Sequence, residues 1–131
     1  MTLRPVDVET VEPRDLQSVF GFGPLELRPN EGLVSASGVA LHLSVREFGL
    51  LVELARNDGR IVRREEIYEA VWGEPLRLGD RTVDVYVRRL RVKLSQVLPD
   101  WSFIHTHVGF GYRFAPAFES SGRNDAAQPA L

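Results

Sequence analysis

The segment between Asp80 and Pro99 constrains the fold most, because it carries signals that start a helix, shape its buried side and end it. Asp80 is a good N-cap, and Pro99 lacks the amide that a further helical turn would need. At 100° per residue, four apolar side chains fall within roughly 60° of one another and form one narrow stripe: Val83, Val87, Leu90 and Leu94. The spacing predicts a helix from about Arg81 to Val97 that packs on a core along one side.

The opposite side of this helix is unusual for a solvent face, because it mixes small apolar residues with arginines: Arg81, Val85, Arg88, Arg89 and Val92. Guanidinium groups bind phosphates or the guanine edge, and valine can contact a thymine methyl. This side therefore suits the major groove of duplex DNA. A merely solvated face is the alternative, but such faces usually interleave acids, and Asp84 is the only acid between Arg81 and Leu94.

The distribution of charge decides how the net charge of -2 is interpreted. A phosphate-binding surface needs Lys and Arg, so the net charge by itself argues against nucleic acid. However, the basic residues of the helix outnumber its single acid, whereas the acids of residues 1–32 outnumber the bases there. Association depends on the local field, so a cationic helix on a mildly acidic body can still dock on DNA.

Length and turn signals predict one domain, residues 19–116, between two flexible tails, residues 1–18 and 117–131. The domain begins with short apolar stretches divided by glycine, proline and asparagine, which predicts a small antiparallel sheet. The stretches cover residues 19–22, 25–27, 33–36 and 39–43.

Two helices are predicted between this sheet and Asp80. Ser44 and Glu47 have capping-box spacing, and the first helix should end at residues 57–59. Its expected core side chains are Phe48, Leu51, Val52 and Ala55. The second helix should run from about Arg63 to Trp72 and stop at Gly73, with inward side chains at Ile67, Ala70 and Val71.

Two alternating segments near the end of the domain, residues 102–106 and 111–115, predict a hairpin. Its glycines would let the backbone approach phosphates, and Thr106 and Tyr112 carry hydroxyls that could donate to them. The same glycines also satisfy the turn, so both interpretations stay open. The indole of Trp72 can likewise donate to a phosphate or fill the core. A sheet, three helices and a hairpin make an α+β fold.

Other kinds of site have little support. The chain has no cysteine, and His105 and His107 lack a nearby carboxylate to complete a usual ligand set, so we expect no metal or cofactor. Glutamates in the second helix more simply balance nearby arginines than form an acid-base pair. No glycine-rich phosphate loop or nucleophile elbow is present, so we expect no enzyme. Without a long apolar run or a leader pattern, we expect a cytoplasmic protein and no membrane partner.

Residues 81–91 (RTVDVYVRRLR) and 109–114 (GFGYRF) resemble the DNA-binding domain of OmpR/PhoB-type response regulators of two-component systems. Residues 44–51, 59–62 and 71–73 match the same family in order and spacing. The resemblance covers about residues 20–116. It implies a transcription regulator with a winged helix-turn-helix fold: an N-terminal four-stranded antiparallel sheet, a three-helix core and a C-terminal hairpin wing, residues 102–115.

The resemblance and the helix face together predict the interface. The recognition helix, residues 81–97, would read bases through Val85, Arg88 and Arg89, while the other residues anchor phosphates or flank these contacts. The predicted DNA-binding residues are Arg81, Thr82, Val85, Tyr86, Arg88, Arg89, Arg91, Lys93, Trp72, Thr106, His107 and Tyr112. The resemblance also implies a loop that contacts RNA polymerase, formed by Glu74, Pro75, Leu76, Arg77 and Leu78. Double-stranded DNA with direct repeats and a head-to-tail homodimer on it are the implied partners.

Three departures from the family pattern matter. Val108 stands where the wing usually has arginine, with His107 or Arg113 as substitute cations, and Arg63 stands where a Ser or Thr cap is favoured. A receiver domain would need roughly another domain's length. Either this sequence is an excised or separately expressed output domain, or the protein has this module alone. The alternative function is a winged-helix protein-interaction module that contacts RNA polymerase or a regulatory partner, supported by the overall acidity and the missing wing arginine.

Overall fold

The structure is a computed structural model that describes residues 19–119, and these residues form two units, residues 19–42 and residues 43–119. The first unit is an antiparallel sheet in the order β1-β2-β3-β4. Its strands are β1 (Phe20–Phe22), β2 (Leu25–Arg28), β3 (Leu33–Ala36) and β4 (Val39–Ala40). The four predicted strands are confirmed, although β4 stops earlier than residue 43. Ser37 and Gly38 both have positive φ, 52° and 82°, as a two-residue hairpin turn requires.

Helix α1 (Val45–Arg56) opens the second unit with the predicted capping box. The Glu47 amide donates to Ser44 Oγ at 3.2 Å, and the Ser44 amide donates to Glu47 Oε1 at 2.9 Å. Leu51 and Ala55 are buried as predicted, but Phe48 and Val52 are only half-buried. The face that packs inward is Glu47, Leu50, Leu51, Leu54 and Ala55. The hydrophobic pattern favoured the neighbouring face because the inward face includes an acid.

Helix α2 (Arg64–Trp72) begins without a side-chain cap at Arg63, as the sequence suggested. The Glu66 carboxylate nevertheless accepts the Arg63 amide at 3.0 Å, which supplies half of a capping box. Gly73 ends the helix in the left-handed region, with φ of 80°. Ile67 is buried as predicted, but Ala70 is exposed. The rest of the domain covers a narrower face of α2 than the positions of its apolar residues predicted.

Helix α3 (Thr82–Val97) has the predicted buried stripe of Val83, Val87, Leu90 and Leu94. It starts one residue later than predicted, with Arg81 at the N-cap position. Asp80 still caps it, because the Asp80 Oδ1 atom accepts the Thr82 amide at 2.8 Å. None of the helices within residues 19–119 has both the length and the apolar content to cross a bilayer.

The C-terminal hairpin belongs to a three-stranded sheet in the order β5-β7-β6, formed by β5 (Ile61–Val62), β6 (Trp101–His107) and β7 (Gly111–Phe118). The two residues of β5 were too few to show a strand pattern in the sequence. Ala117 and Phe118, expected to open a C-terminal tail, pair with Ser102 and Trp101 and so belong to β7. The other predicted tail residues, 1–18 and 120–131, lie outside the described residues.

Candidate nucleic-acid interface

The exposed side of α3 carries the mixed cationic and apolar surface that the sequence predicted. Val85 and Val92 keep 45% and 48% of their surface exposed, although both are aliphatic. Arg88 and Arg89 are exposed between them, and together these four side chains line an open groove of about 520 Å³. We call this groove, whose other lining residues are Glu47, Lys93 and Gln96, the α3 groove.

The two arginines of the α3 groove are held differently. Arg89 lies over the Tyr86 ring, with the guanidinium carbon 5.0 Å from the ring centroid. Within residues 19–119, Arg88 makes no hydrogen bond or ion pair, so its guanidinium keeps all its donors for a ligand. Arg88 is therefore the cation most available to an approaching base edge or phosphate.

Trp72 lies in an aromatic cluster at the end of α2. Its ring stacks on Tyr68 at 5.0 Å and meets the edge of Tyr86 at 5.2 Å, and the Arg46 guanidinium lies 5.5 Å from it. The bulk of the indole thus packs within the protein, while the side chain remains half-buried. Of the two open interpretations, packing is what the structure shows, and a phosphate contact stays a prediction.

Asp84 organises the N-terminal end of α3 from a nearly buried position. Its Oδ1 atom accepts Arg64 Nε at 2.8 Å and also the Tyr112 hydroxyl. Its Oδ2 atom lies 2.8 Å from Arg81 Nε as an ion pair, although the angle does not meet hydrogen-bond geometry. One carboxylate therefore joins α3 to α2 and to the wing strand β7.

The protonation equilibria in this cluster follow from the same contacts. Burial raises the pKa of Asp84, but the Tyr112 hydroxyl, the Arg64 guanidinium and the Arg81 charge outweigh it, so the pKa lies below its ordinary value. Burial, followed by the hydrogen bond to Asp84, raises the pKa of Tyr112. The bond to Asp84 also raises the pKa of Arg64. Asp84 is ionised and Tyr112 neutral around pH 7.

Tyr112 and Arg91 were both predicted to contact DNA, and both are engaged inside the protein. The Tyr112 hydroxyl, expected to donate to a phosphate, donates to Asp84, and its ring is buried. Arg91 donates from Nε and Nη2 to the Ile104 carbonyl at 3.1 and 2.9 Å, and from Nη2 to Thr106 Oγ1 at 2.7 Å. Both side chains thus fix α3 against the wing.

Lys93, a predicted phosphate anchor, forms an ion pair with α1. Its Nζ atom lies 2.6 Å from Glu47 Oε1. Burial raises the pKa of Glu47, but the hydrogen bonds from Lys93 and Ser44 and the Lys93 charge lower it below its ordinary value. Glu47 is therefore ionised at neutral pH, and its charge offsets that of Lys93 beside the α3 groove.

The wing presents an apolar tip. Val108 and Phe110 are 88% and 70% exposed. His107 is half-buried and accepts Arg113 Nε at 3.0 Å through its Nε2 atom. Thr106 is exposed, and its hydroxyl accepts from Arg91. The two residues proposed as substitutes for the missing arginine, His107 and Arg113, thus bond to each other beside the tip.

The remaining predicted residues lie where the sequence placed them, in α3 and in the loop of residues 73–81. The hydroxyl of Thr82 donates to Asp80, and Arg81 extends outward from its ion pair. In the loop, Leu78 is fully exposed and Leu76 half-buried, while Glu74, Pro75 and Arg77 are exposed. Among residues 19–119, no three acidic or histidine side chains lie close enough together to bind a metal ion.

Sequence reasoning missed the two acids that position α3. Asp84 counted as a lone acid on a basic helix, although its i,i+3 spacing from Arg81 is an ion-pair signal. Its partner Arg64 lies 20 residues away, and Lys93 lies 46 residues from Glu47, so no local pattern could pair them.

Comparison with known proteins identifies the domain. The family described as "Transcriptional regulatory protein, C terminal" matches residues 38–114. The chain belongs to this family. The winged helix-turn-helix fold and the OmpR/PhoB-type DNA-binding class predicted above are thereby confirmed.

Individual members of the family support the assignment. The transcriptional regulatory protein CreB of Escherichia coli (strain K12) is 37% identical over 94 residues, which are 72% of this chain and 41% of CreB. The phosphate regulon transcriptional regulatory protein PhoB of Shigella flexneri is 34% identical over 108 residues, 82% of this chain and 47% of PhoB. The chain thus spans less than half the length of these relatives.

A solved structure agrees as well. The RstA DNA-binding domain of Klebsiella pneumoniae, crystallised in complex with the RstA box, is 34% identical, with a TM-score of 0.67. The match covers 74% of this chain and 96% of that domain.

Proposed function

We propose that this OmpR/PhoB-type domain binds duplex DNA in a sequence-specific manner as part of a cytoplasmic transcription regulator, with α3 in the major groove. The observation that carries the proposal is the exposed set of Val85, Arg88, Arg89 and Val92 along one side of α3. Arginine forks match the guanine edge and valine suits a thymine methyl, so this side can distinguish base pairs. Arg81 and Thr106, exposed at its margins, would contact phosphates.

Within this proposal seven further predicted residues, besides Arg81 and Thr106, divide into two groups. Arg88, Arg89 and Val85 contact bases, with Tyr86 supporting the guanidinium of Arg89. Arg91, Lys93 and Tyr112 act through the protein, because their polar groups bond to Ile104, Glu47 and Asp84. The wing would meet the backbone through its exposed tip rather than through a free cation.

The test is selection of bound fragments from a random duplex library at near-physiological salt, with the sequences of the bound fraction read out. The wild type should enrich a motif repeated about one helical turn apart, as expected for head-to-tail pairs on direct repeats. Arg88→Ala should reduce the discrimination between bases at one position by about 1–3 kcal/mol and leave the discrimination at the other positions unchanged. No enrichment by folded wild-type protein would contradict the proposal.

We also propose that the loop of residues 74–78 contacts RNA polymerase while α3 occupies DNA. The loop projects a fully exposed leucine, Leu78, between Arg77 and Gly79. The support for this contact is the resemblance to OmpR/PhoB-type domains, which implies a polymerase-contacting loop at this place in the chain. A pure protein-interaction module remains the alternative, and it predicts binding that is insensitive to salt, whereas phosphate contacts weaken steeply with ionic strength.

A further inference from the structure

Glu47 places a buried carboxylate at the wall of the α3 groove. It is the only residue on the groove wall that comes from α1, and only 4% of its surface is exposed. Its Oε1 atom accepts two hydrogen bonds, from Lys93 Nζ at 2.6 Å and from the Ser44 amide at 2.9 Å. One oxygen thus caps α1 and also holds a side chain of α3.

The charge of Lys93 is offset where it would otherwise face DNA. Lys93 lines the same groove as Arg88 and Arg89, which have no acid as partner among the described residues. The groove therefore offers two unbalanced cations rather than three. Both are arginines, whose planar forks recognise base edges, whereas a lysine ammonium acts on phosphates as a point charge.

We propose that Glu47 is a positioning residue that limits the sequence-independent part of DNA binding: it holds the Lys93 ammonium against α1 and keeps it from binding phosphate. The inference rests on the proposed DNA binding. Phosphate contacts strengthen binding to every sequence, whereas base contacts favour the cognate site alone. By withholding one phosphate contact, Glu47 lowers the affinity for every duplex and makes that affinity depend less on salt.

Glu47→Gln is the decisive variant, because Gln at this position keeps the capping box and removes the charge. Glu66→Gln is the matched control: Glu66 also accepts the amide three residues before it, at the start of α2, but lies outside the α3 groove. Both substitutions change the net charge equally. Binding of each variant to the selected operator and to a scrambled duplex is measured across a salt series.

Glu47→Gln should bind both the operator and the scrambled duplex more tightly, by a similar factor and with a steeper dependence on salt. One added phosphate contact steepens the slope of log K against log salt by about 0.9, so from about 50 mM to about 200 mM salt the variant should lose about 3.5-fold more affinity than the wild type. Glu66→Gln should follow the wild type. Adding Lys93→Met to Glu47→Gln should restore the wild-type slope.

Each other outcome counts against the inference. Weaker binding of Glu47→Gln to both duplexes, with a lowered Tm, would mean that Glu47 only stabilises the fold. Equal behaviour of Glu47→Gln and Glu66→Gln would assign any gain to net charge alone. If the wild type selects no operator, the proposed DNA-binding function is contradicted. If the affinity of every variant for the scrambled duplex is independent of salt, the inference about Glu47 is contradicted as well.

Discussion

At the scale of single residues, two internal acids govern how the basic helix is held. Asp84 bonds to side chains from α2 and β7, and Glu47 bonds to one from α3. Both have pKa values below their ordinary ones, so both are more acidic in the folded state. A group of this kind stabilises the fold above its unfolded pKa, and the stabilisation is lost as the pH falls through the folded pKa.

Asp84→Asn should therefore lower the free energy of unfolding at pH 7. It should also make this free energy decrease less steeply as the pH falls. Arg64 is 37% exposed, so we expect a loss of about 1–2 kcal/mol rather than the larger cost of breaking a fully buried pair. In the wild type this contribution should be lost as the pH falls below about 3.8, the ordinary pKa of an aspartate such as Asp84. Urea unfolding at pH 7 and near pH 3.5 measures both effects.

The exposed Asp58 provides the control, since Asp58→Asn should leave the pH profile close to that of the wild type. Coincident stability curves for the wild type and Asp84→Asn would show that the Asp84 contacts contribute nothing to folding. The remaining acid dependence in Asp84→Asn should come in part from Glu47, whose ordinary pKa is 4.5.

At the scale of elements, the wing depends on how closely β7 approaches β5. Gly111 has φ of 147°, and a Cβ atom there would lie 2.2 Å from the Val62 carbonyl oxygen. Gly109, at the tip, has φ of 84° but open space around it. The first glycine is required by packing and the second by the turn alone.

Gly111→Ala should thus destabilise the protein by more than about 3 kcal/mol, because backbone on both sides of the contact must move. Gly109→Ala should cost only about 1–2 kcal/mol, the strain of a left-handed residue. Thermal unfolding of the two variants tests the comparison. Similar losses in both would mean that β7 can shift away from β5 at little cost.

Local sequence signals predicted these elements well where one segment contains the whole signal. The capping box of Ser44, the Gly73 stop and the buried stripe of α3 are all local, and all were found. The inward face of α1 was only partly predicted because it includes Glu47, whose burial depends on Lys93. Strand β5 was missed because two residues have no periodicity of their own.

At the scale of the whole molecule, a net charge of -2 coexists with a cationic helix because the charges are segregated. The DNA-binding class could be predicted from the arginines of α3, but the division between base-contacting and internally bonded residues could not. That division depends on contacts from α1, α2 and β6 that lie far apart in sequence. The loop before α3 was located between Gly73, the predicted end of the second helix, and Asp80, the predicted cap of the third.

Leu78→Ser should separate polymerase contact from DNA binding. The substitution removes an exposed side chain, so stability and the enriched DNA motif should remain those of the wild type. Retention of RNA polymerase on operator-bound protein should fall, measured by co-sedimentation on immobilised DNA. Thr106→Ala, which alters the wing, serves as the opposite control. Unchanged polymerase retention in Leu78→Ser would remove Leu78 from the proposed contact.

The anchoring of α3 at two points has a consequence for the DNA partner. Asp84 fixes one end of the helix to α2 and the wing, and Glu47 fixes the other part to α1 through Lys93. A DNA-binding helix face that is already ordered loses little conformational entropy when it binds, and its shape also changes little on binding. Any mismatch in shape must then be relieved by bending or twisting the duplex, so flexible base steps that the protein never touches should influence which operators it prefers.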